Sequence, residues 1–259
     1  MCLSPVTLYK NDPDKSMTFP CGKCEACLKR SQTMWFTRLL CEIPYHKSCH
    51  FLTLTYDGEN IREKGLLHTD VQLFIKRLRK NEKQTNMKYY VCGEYGSETQ
   101  RPHYHMILYH SIDKDVKEVM DREWRLGIVH VGLVTPKSIR YCLSYMKKML
   151  QSQVAKELNP PYQKMSKGLG KKYYEGNMNR LYRLGYITIN GCKYAIPRYY
   201  LKLDKELESL QDERCETYKR SAGVPSLKDV DYRIRNESKK IAQIKANITA
   251  NKNGKKRKL

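Results

Sequence analysis

The chain has 259 residues, 49 Lys and Arg against 27 Asp and Glu, a net charge of +22, 40% hydrophobic residues and a mean hydropathy of −0.72. That apolar fraction can build one sizeable core, which argues against wholesale disorder, and the surplus of cations points to a phosphate polyanion, with an anionic membrane surface as the competing partner. No run of about 18 apolar residues occurs, and residues 1–20 lack a signal-peptide pattern, so a membrane span and export are set aside and the ten Cys read as free thiols or metal ligands.

Residues 1–48 read as an irregular arm carrying Cys21, Cys24 and Cys27, with a helix over 28–42. The segment FLTLTY at 51–56 is rich in β-formers and closes on Asp57-Gly58, which predicts a strand. Thr69 with Gln72 three residues on makes a capping box, and Val71, Phe74, Ile75 and Leu78 share one helical face. Two strands follow over 88–94 and 103–109, joined as a hairpin by the polar loop 95–102. Asp113 is placed to cap a helix presenting Val116, Val119, Met120 and Trp124, ended by Gly127. Residues 128–134 predict a fourth strand. Thr135-Pro136 then opens a helix through about Leu150, with Ile139, Leu143, Met146 and Leu150 at core spacing.

The order β-α-β-β-α-β predicts an α+β fold of the ferredoxin-like split βαβ type, its sheet antiparallel, with helices on one face and the other left for a site. The chain divides into a Cys-rich N-terminal arm and helix (1–48), the α+β core (49–152), a basic Tyr-rich extension (153–203), and a helical segment with a basic disordered tail (204–259).

In a strand, His103 and His105 project to one face and Tyr104 to the other, so both imidazoles can reach one cation. Folding the hairpin brings Glu94 opposite or diagonal to His103. Two satisfied histidines are the plain alternative, and Glu98, in the loop, is the alternative carboxylate. Three ligands on one side of an ion leave room for water or a substrate oxygen, which suits Mg²⁺ or Mn²⁺ in hydrolytic or phosphoryl-transfer work. Imidazole favours Mn²⁺, and Zn²⁺ stays open. Tyr141 and Tyr145 stack on one side of the last helix, with Lys148 three residues beyond. Aromatic packing competes with chemistry here. A phenolate attacking a metal-polarised phosphodiester needs a cation to offset the phosphoryl charge, and Lys148 stands in Tyr-x-x-Lys spacing from Tyr145. The same position after Tyr141 is Ser144. His130 is the unassigned histidine that a strand would aim at this site.

Cys21-x-x-Cys24-x-x-Cys27 offers three thiols to a structural Zn²⁺, with Cys2 first choice as fourth ligand and Cys41, Cys49 or His46 behind it. Free reduced thiols compete with that reading, and an Fe–S cluster is a weaker third. Residues 159–200 interleave Lys164, Lys167, Lys171, Lys172, Arg180, Arg183, Lys193 and Arg198 with Tyr162, Tyr173, Tyr174, Tyr182, Tyr186, Tyr194, Tyr199 and Tyr200. That composition suits a single-strand groove, in which cations hold phosphates and rings stack bases; an ordinary solvated face with core tyrosines is the alternative.

Glu94, His103-Tyr104-His105 and the downstream Tyr helix together resemble the HUH endonucleases that start rolling-circle replication. FLTLTY (51–56) looks like their first motif, His103 to His105 like the second, and Tyr141-x-x-x-Tyr145-x-x-Lys148 like the third. PCGKCEAC (20–27), the Trp35/Arg38/Glu42 run, GEYG…RPHYH (93–105), GLGKKYYE (168–175) and PRYY (197–200) are similar to Microviridae initiators of the gokushovirus type, over roughly residues 1–203. Tyr104, where an apolar residue is commoner, and Ser144 depart from the pattern. The resemblance implies the HUH fold and a metal-dependent nickase-ligase acting on a single-stranded DNA origin. A tyrosine would form a 5′-phosphotyrosine adduct and free a 3′-OH for host polymerase, and two tyrosines would let one hold the old end while the other cuts the new copy. It also implies action in the cytoplasm of a bacterial host. With no Walker A pattern in the chain, unwinding falls to a helicase partner. The rival readings are an HUH relaxase or transposase and a zinc-stabilised, non-enzymatic single-strand binder.

Overall fold

Two short strands, β1 (Val6–Leu8) and β2 (Met17–Phe19), pair antiparallel and lead into helix α1 (Glu25–Glu42). Strand β3 (Ser48–Tyr56) alternates, so that Leu52, Leu54 and Tyr56 are buried on one face while Phe51, Thr53 and Thr55 line the other. Helix α2 (His68–Asn81), strands β4 (Lys88–Tyr95) and β5 (Pro102–His110), helix α3 (Val116–Trp124), strand β6 (Gly127–Leu133) and helix α4 (Pro136–Gln151) complete the expected order. The sheet runs β6-β3-β5-β4 with every neighbour antiparallel, which is the split βαβ arrangement of an α+β fold. An unexpected fifth strand, β7 (Tyr162–Met165), extends the β4 edge. Helix α5 (Lys171–Leu184), the hairpin β8 (Tyr186–Ile189) and β9 (Cys192–Ala195), and the short α6 (Arg198–Leu201) follow.

The structure, a computed structural model, describes residues 2–9, 16–96, 98–151 and 157–221. They divide into a unit ending at Leu203 and a second from Asp204, in which helix α7 (Lys205–Ser221) is described. The expected basic tail lies outside the described residues. Among those residues no helix is long and apolar enough to cross a membrane.

Helices cover both faces of the sheet, not one. On the first face, Phe74, Ile75 and Leu78 of α2 and Val119, Met120 and Trp124 of α3 pack on Leu52, Leu54, Met106 and Leu108. On the second, Phe36 and Leu39 of α1 and Ile139, Leu143 and Met146 of α4 pack on Tyr90, Ile107 and Tyr109. The helix expected in the arm is therefore a layer of the core. Each fully buried large apolar side chain contributes about 1.5–3 kcal/mol, and these two layers supply most of them. Leu150, expected on the α4 core face, is 52% exposed, because the apolar cluster beneath that helix ends at Met146.

Three expected helix ends differ. The residue before α2 is Leu67 and no side chain caps it; Thr69 lies inside the helix. The buried Tyr104 hydroxyl takes the place of a cap, accepting from the Leu67 N–H at 2.8 Å and donating to its carbonyl at 3.0 Å. Asp115, not Asp113, caps α3 by accepting from the Glu118 N–H, while Asp113 pairs with Lys47. Arg125, with φ 58°, ends α3, and Gly127 instead opens β6 at φ 145°, where a Cβ would fall 2.3 Å from the Asp57 nitrogen. The reciprocal cap at α4 is present: Thr135 Oγ1 accepts from the Ser138 N–H at 3.1 Å and Ser138 Oγ from the Thr135 N–H at 2.8 Å.

The basic extension is folded, and its two residue types separate. All eight of its named cations are exposed, whereas none of its eight tyrosines is. Tyr200, fully buried, donates to the Gly170 carbonyl at 2.8 Å and stacks near Tyr174. Tyr174 and Tyr200 are buried and the other six rings are partly covered, so no ring here stands as open to solvent as the cations do.

Candidate active site

Register builds the site. Glu94 on β4 pairs directly with His103 on β5, and His105 pairs with Thr53 on β3. Alternation puts Glu94, His103, His105 and Thr53 on the α1/α4 face and sends Tyr104 to the opposite core, where its hydroxyl lies 2.8 Å from that of Tyr56. One ligand atom from each of Glu94, His103 and His105 lies within 4.8 Å of the others. Glu94 Oε1 is 2.9 Å from His103 Nε2 and 3.2 Å from His105 Nε2. Glu98 is exposed in the connecting loop and is not among the converging groups.

The other ring nitrogens are held. His103 Nδ1 lies 3.0 Å from the Arg101 carbonyl, which only accepts, so that nitrogen carries a proton. His105 Nδ1 lies 3.1 Å from Thr53 Oγ1. Both Nε2 atoms are thereby turned toward Glu94. A lone pair on Nε2 facing a carboxylate oxygen is repulsive, so a proton or a cation must sit between them, and hydrogen-bonded imidazoles of this kind are typical metal ligands. The donor set fits a divalent ion.

Electrostatics agree with a cation-seeking cluster. Burial pushes the Glu94 carboxyl up, but hydrogen bonds from His103 and His105 outweigh it and hold the group well below the usual carboxylate range. Burial lowers His103, and bonding to Glu94 more than compensates, leaving it raised. At the deeper His105 burial wins and the ring is lowered.

Helix α4 lays both tyrosines on this cluster. The Tyr145 ring stacks on His105 with centroids 5.0 Å apart and planes 15° apart, and it is only 2% exposed. Tyr141, 48% exposed, meets His105 edge-on at 5.1 Å. The Tyr145 hydroxyl donates to that of Tyr141, so both phenols present their oxygens at one place. Burial, then the bonds to Tyr141 and Glu94, keeps the Tyr145 phenol protonated, well above its ordinary range. Lys148 Nζ sits 4.5 Å over the Tyr145 ring and 3.4 Å from Glu94 Oε2, with its side chain 63% exposed. Ser144, where a second lysine would stand, bonds back to the Tyr141 carbonyl.

Two supporting residues were missed in the sequence, Phe51 and Thr53. Phe51 stacks on the other side of His105 at 5.6 Å, and Thr53 orients that ring. Both lie on β3 positions that alternate onto the site face, a signal visible once β3 is paired with β5. His130 also pairs with Thr53 and shares this face, exposed, on the far side of β3. The arm brings Cys2, Cys21, Cys24 and Cys27 together, ligand atoms within 4.8 Å of one another; Cys41, Cys49 and His46 lie elsewhere.

Comparison with known proteins gives a consistent result. The family of ORF2-type replication-associated proteins matches residues 49–150. Replication-associated protein VP4 of Bdellovibrio phage phiMH2K is 31% identical over 210 residues, covering 71% of this chain and 67% of the relative. Replication-associated protein ORF2 of Spiroplasma virus 4 is 29% identical over 270 residues, covering 89% and 84%. Among solved structures, the N-terminal nuclease domain of minute virus of mice non-structural protein 1 superposes over 54% of this chain and 79% of its own, at 12% identity and a TM-score of 0.25, too loosely to bear on the site.

Proposed function

The chain belongs to the replication-associated proteins of the Microviridae, the rolling-circle initiators of these phages, and from that premise we propose that it nicks and rejoins single-stranded origin DNA through a phosphotyrosine. The observation that carries this reading is the contact of the two phenols, one stacked on His105, with the Glu94–His103–His105 cluster. Glu94, His103 and His105 would hold Mg²⁺ or Mn²⁺. Such an ion supplies Lewis-acid polarisation of a phosphate oxygen.

The chain's own residues do the rest. A phenol oxygen attacks the phosphorus, the bond to the 3′ oxygen breaks, and the 5′ end stays on the tyrosine. From Tyr145 the proton leaves through the hydrogen-bonded Tyr141 hydroxyl toward solvent; the 3′ oxygen gains a proton to become a hydroxyl. Lys148, near Glu94 in this state, has the stem length and exposure to swing onto the phosphoryl oxygens and offset their charge. Phe51 and Tyr145 clamp His105, and Thr53 and the Arg101 carbonyl fix the rings, so ligand geometry is set before the strand arrives. Attack by the freed 3′-OH reverses the sequence and closes a circle without an external energy source. Host polymerase and helicase would extend and unwind between the two events, in the cytoplasm of the bacterial host.

The test is a denaturing gel of the protein incubated with origin single strand and Mn²⁺, followed by mass spectrometry of the peptide–DNA adduct. A denaturation-resistant adduct on Tyr145, absent in Tyr145→Phe, is the expected result. Tyr141→Phe, which removes the hydroxyl that accepts the Tyr145 proton, should cut more slowly and fail to pass the strand on. Binding without an adduct under every metal condition would end the nuclease reading.

A further inference from the structure

The cysteine cluster is separate from the Glu94–His103–His105 group and has no role in the strand transfer proposed above. Cys2 lies ahead of β1, Cys21 follows β2, Cys24 immediately precedes α1, and Cys27 is in its first turn. Pairing Val6 with Phe19 doubles the chain back and returns Cys2 to Cys21 and Cys24. Gly22, at φ 75°, makes the turn between Cys21 and Cys24; a Cβ there would meet nothing within 4 Å, so the demand is the backbone's alone.

Sulfur spacing and donors both suit a metal. Cys2 and Cys24 have their sulfurs 3.8 Å apart, and four thiolates at the usual Zn–S distance of about 2.3 Å stand roughly 3.8 Å from one another along each tetrahedral edge. Backbone N–H groups point at the sulfurs: Leu3 to Cys24 at 3.4 Å, Cys21 to Cys2 at 3.2 Å, and Cys24 to Cys21 at 3.3 Å. These bonds and the N-terminal end of α1 favour negative sulfur. Sulfurs this close cannot all ionise without a cation among them. All four are free thiols, and among the described residues neither carboxylate nor imidazole joins the group. A closed all-sulfur set selects Zn²⁺ over the hard ions suited to the carboxylate–imidazole site.

We propose that Cys2, Cys21, Cys24 and Cys27 bind one structural zinc ion, which staples the arm to the start of α1. The staple also shapes a neighbouring cleft of about 290 Å³, where Pro20, Gly22 and Cys27 face Trp35, Arg38 and Tyr199. The Arg38 guanidinium lies between the last two rings, 4.1 Å from the centroid of Trp35 and 3.9 Å from that of Tyr199.

Cobalt decides the matter, because only sulfur ligands give intense thiolate-to-Co²⁺ charge transfer. The full chain, stripped of metal and titrated with Co²⁺, should develop that absorption and the visible bands of a tetrahedral site at about one equivalent, and Zn²⁺ should displace it. Glu94→Gln should develop the same thiolate charge-transfer band, because that variant alters only the carboxylate–imidazole group. Cys24→Ser should bind cobalt at least about 100-fold more weakly; if that variant does not fold, the wild-type and Glu94→Gln titrations suffice. A spectrum without charge transfer, its loss in Glu94→Gln, or an iron–sulfur chromophore in the purified protein would overturn the proposal. None of these readouts depends on DNA cleavage, so the zinc site and the nuclease stand or fall separately.

Discussion

Strand β4 meets a buried carboxylate near each of its ends, roughly 20 Å apart, and the two are built for different ends. At the first, Lys88 reaches Glu42 at 3.0 Å, beside His46 Nε2 at 2.7 Å and the Gly170 N–H. At the second, Glu94 meets His103, His105 and Lys148. The inventories match: a carboxylate, histidine and lysine, with burial opposed by hydrogen bonds that hold each carboxyl below its ordinary range. Enclosure separates them. The Glu42 and His46 side chains are 0% and 1% exposed, so the cluster ties α1, β4 and the Gly170 turn together away from solvent. Glu94 has partners that can exchange a proton for an ion, and a lysine that solvent reaches. Charged residues of the same kinds are structural where they are sealed and chemical where one side is left open.

The contrast can be broken at four places, beginning with the largest expected effect. Glu94→Gln keeps the shape of the side chain and should slow adduct formation per folded molecule more than about 100-fold. Wild-type rates in that variant would make Glu94 a second Glu42. Glu42→Gln should do the reverse, costing about 3 kcal/mol of stability by stranding Lys88 while leaving the adduct rate per folded molecule intact. Its pH signature has a definite sign. Because the folded pKa of Glu42 is depressed, its contribution is complete above the ordinary carboxylate value of 4.5 and is lost as pH falls below that value toward the folded pKa. Urea midpoints measured across that window should therefore fall less steeply in Glu42→Gln than in wild type; parallel curves would contradict this assignment.

Tyr104→Phe removes a hydroxyl that serves both the N–H and the carbonyl of Leu67. It should cost about 1–2 kcal/mol, read as a lower urea midpoint at unchanged slope, without loss of adduct. Thr53→Val, at the small end, releases His105 Nδ1 and should raise the Mn²⁺ concentration for half-maximal rate about tenfold. An unchanged metal titration would reduce Thr53 to a β-former.

What was legible in the chain follows from which forces act locally. The order of strands and helices could be read because alternation and helical periodicity are written in neighbouring residues, and the hairpin alone brings Glu94 to His103. The start of α2 was misread because its partner is Tyr104, remote in sequence and on another strand. Tyr104 itself looked like an odd residue between two histidines; its hydroxyl shows why a phenol is useful there. The layer formed by α1 was hidden because its apolar positions belong to a helix assigned to the arm. Composition also failed between 159 and 200, since counting tyrosines among lysines does not say which type turns inward.

That last separation has a consequence for how a strand would be held in the proposed function. With every lysine and arginine named in this segment exposed and every tyrosine at least partly covered, the surface offers more charge than ring. A coat of that sort grips a polymer by its backbone, indifferent to letter order and sensitive to salt, and lets it slide. Such a grip suits a template that must move past an anchored end while its copy grows.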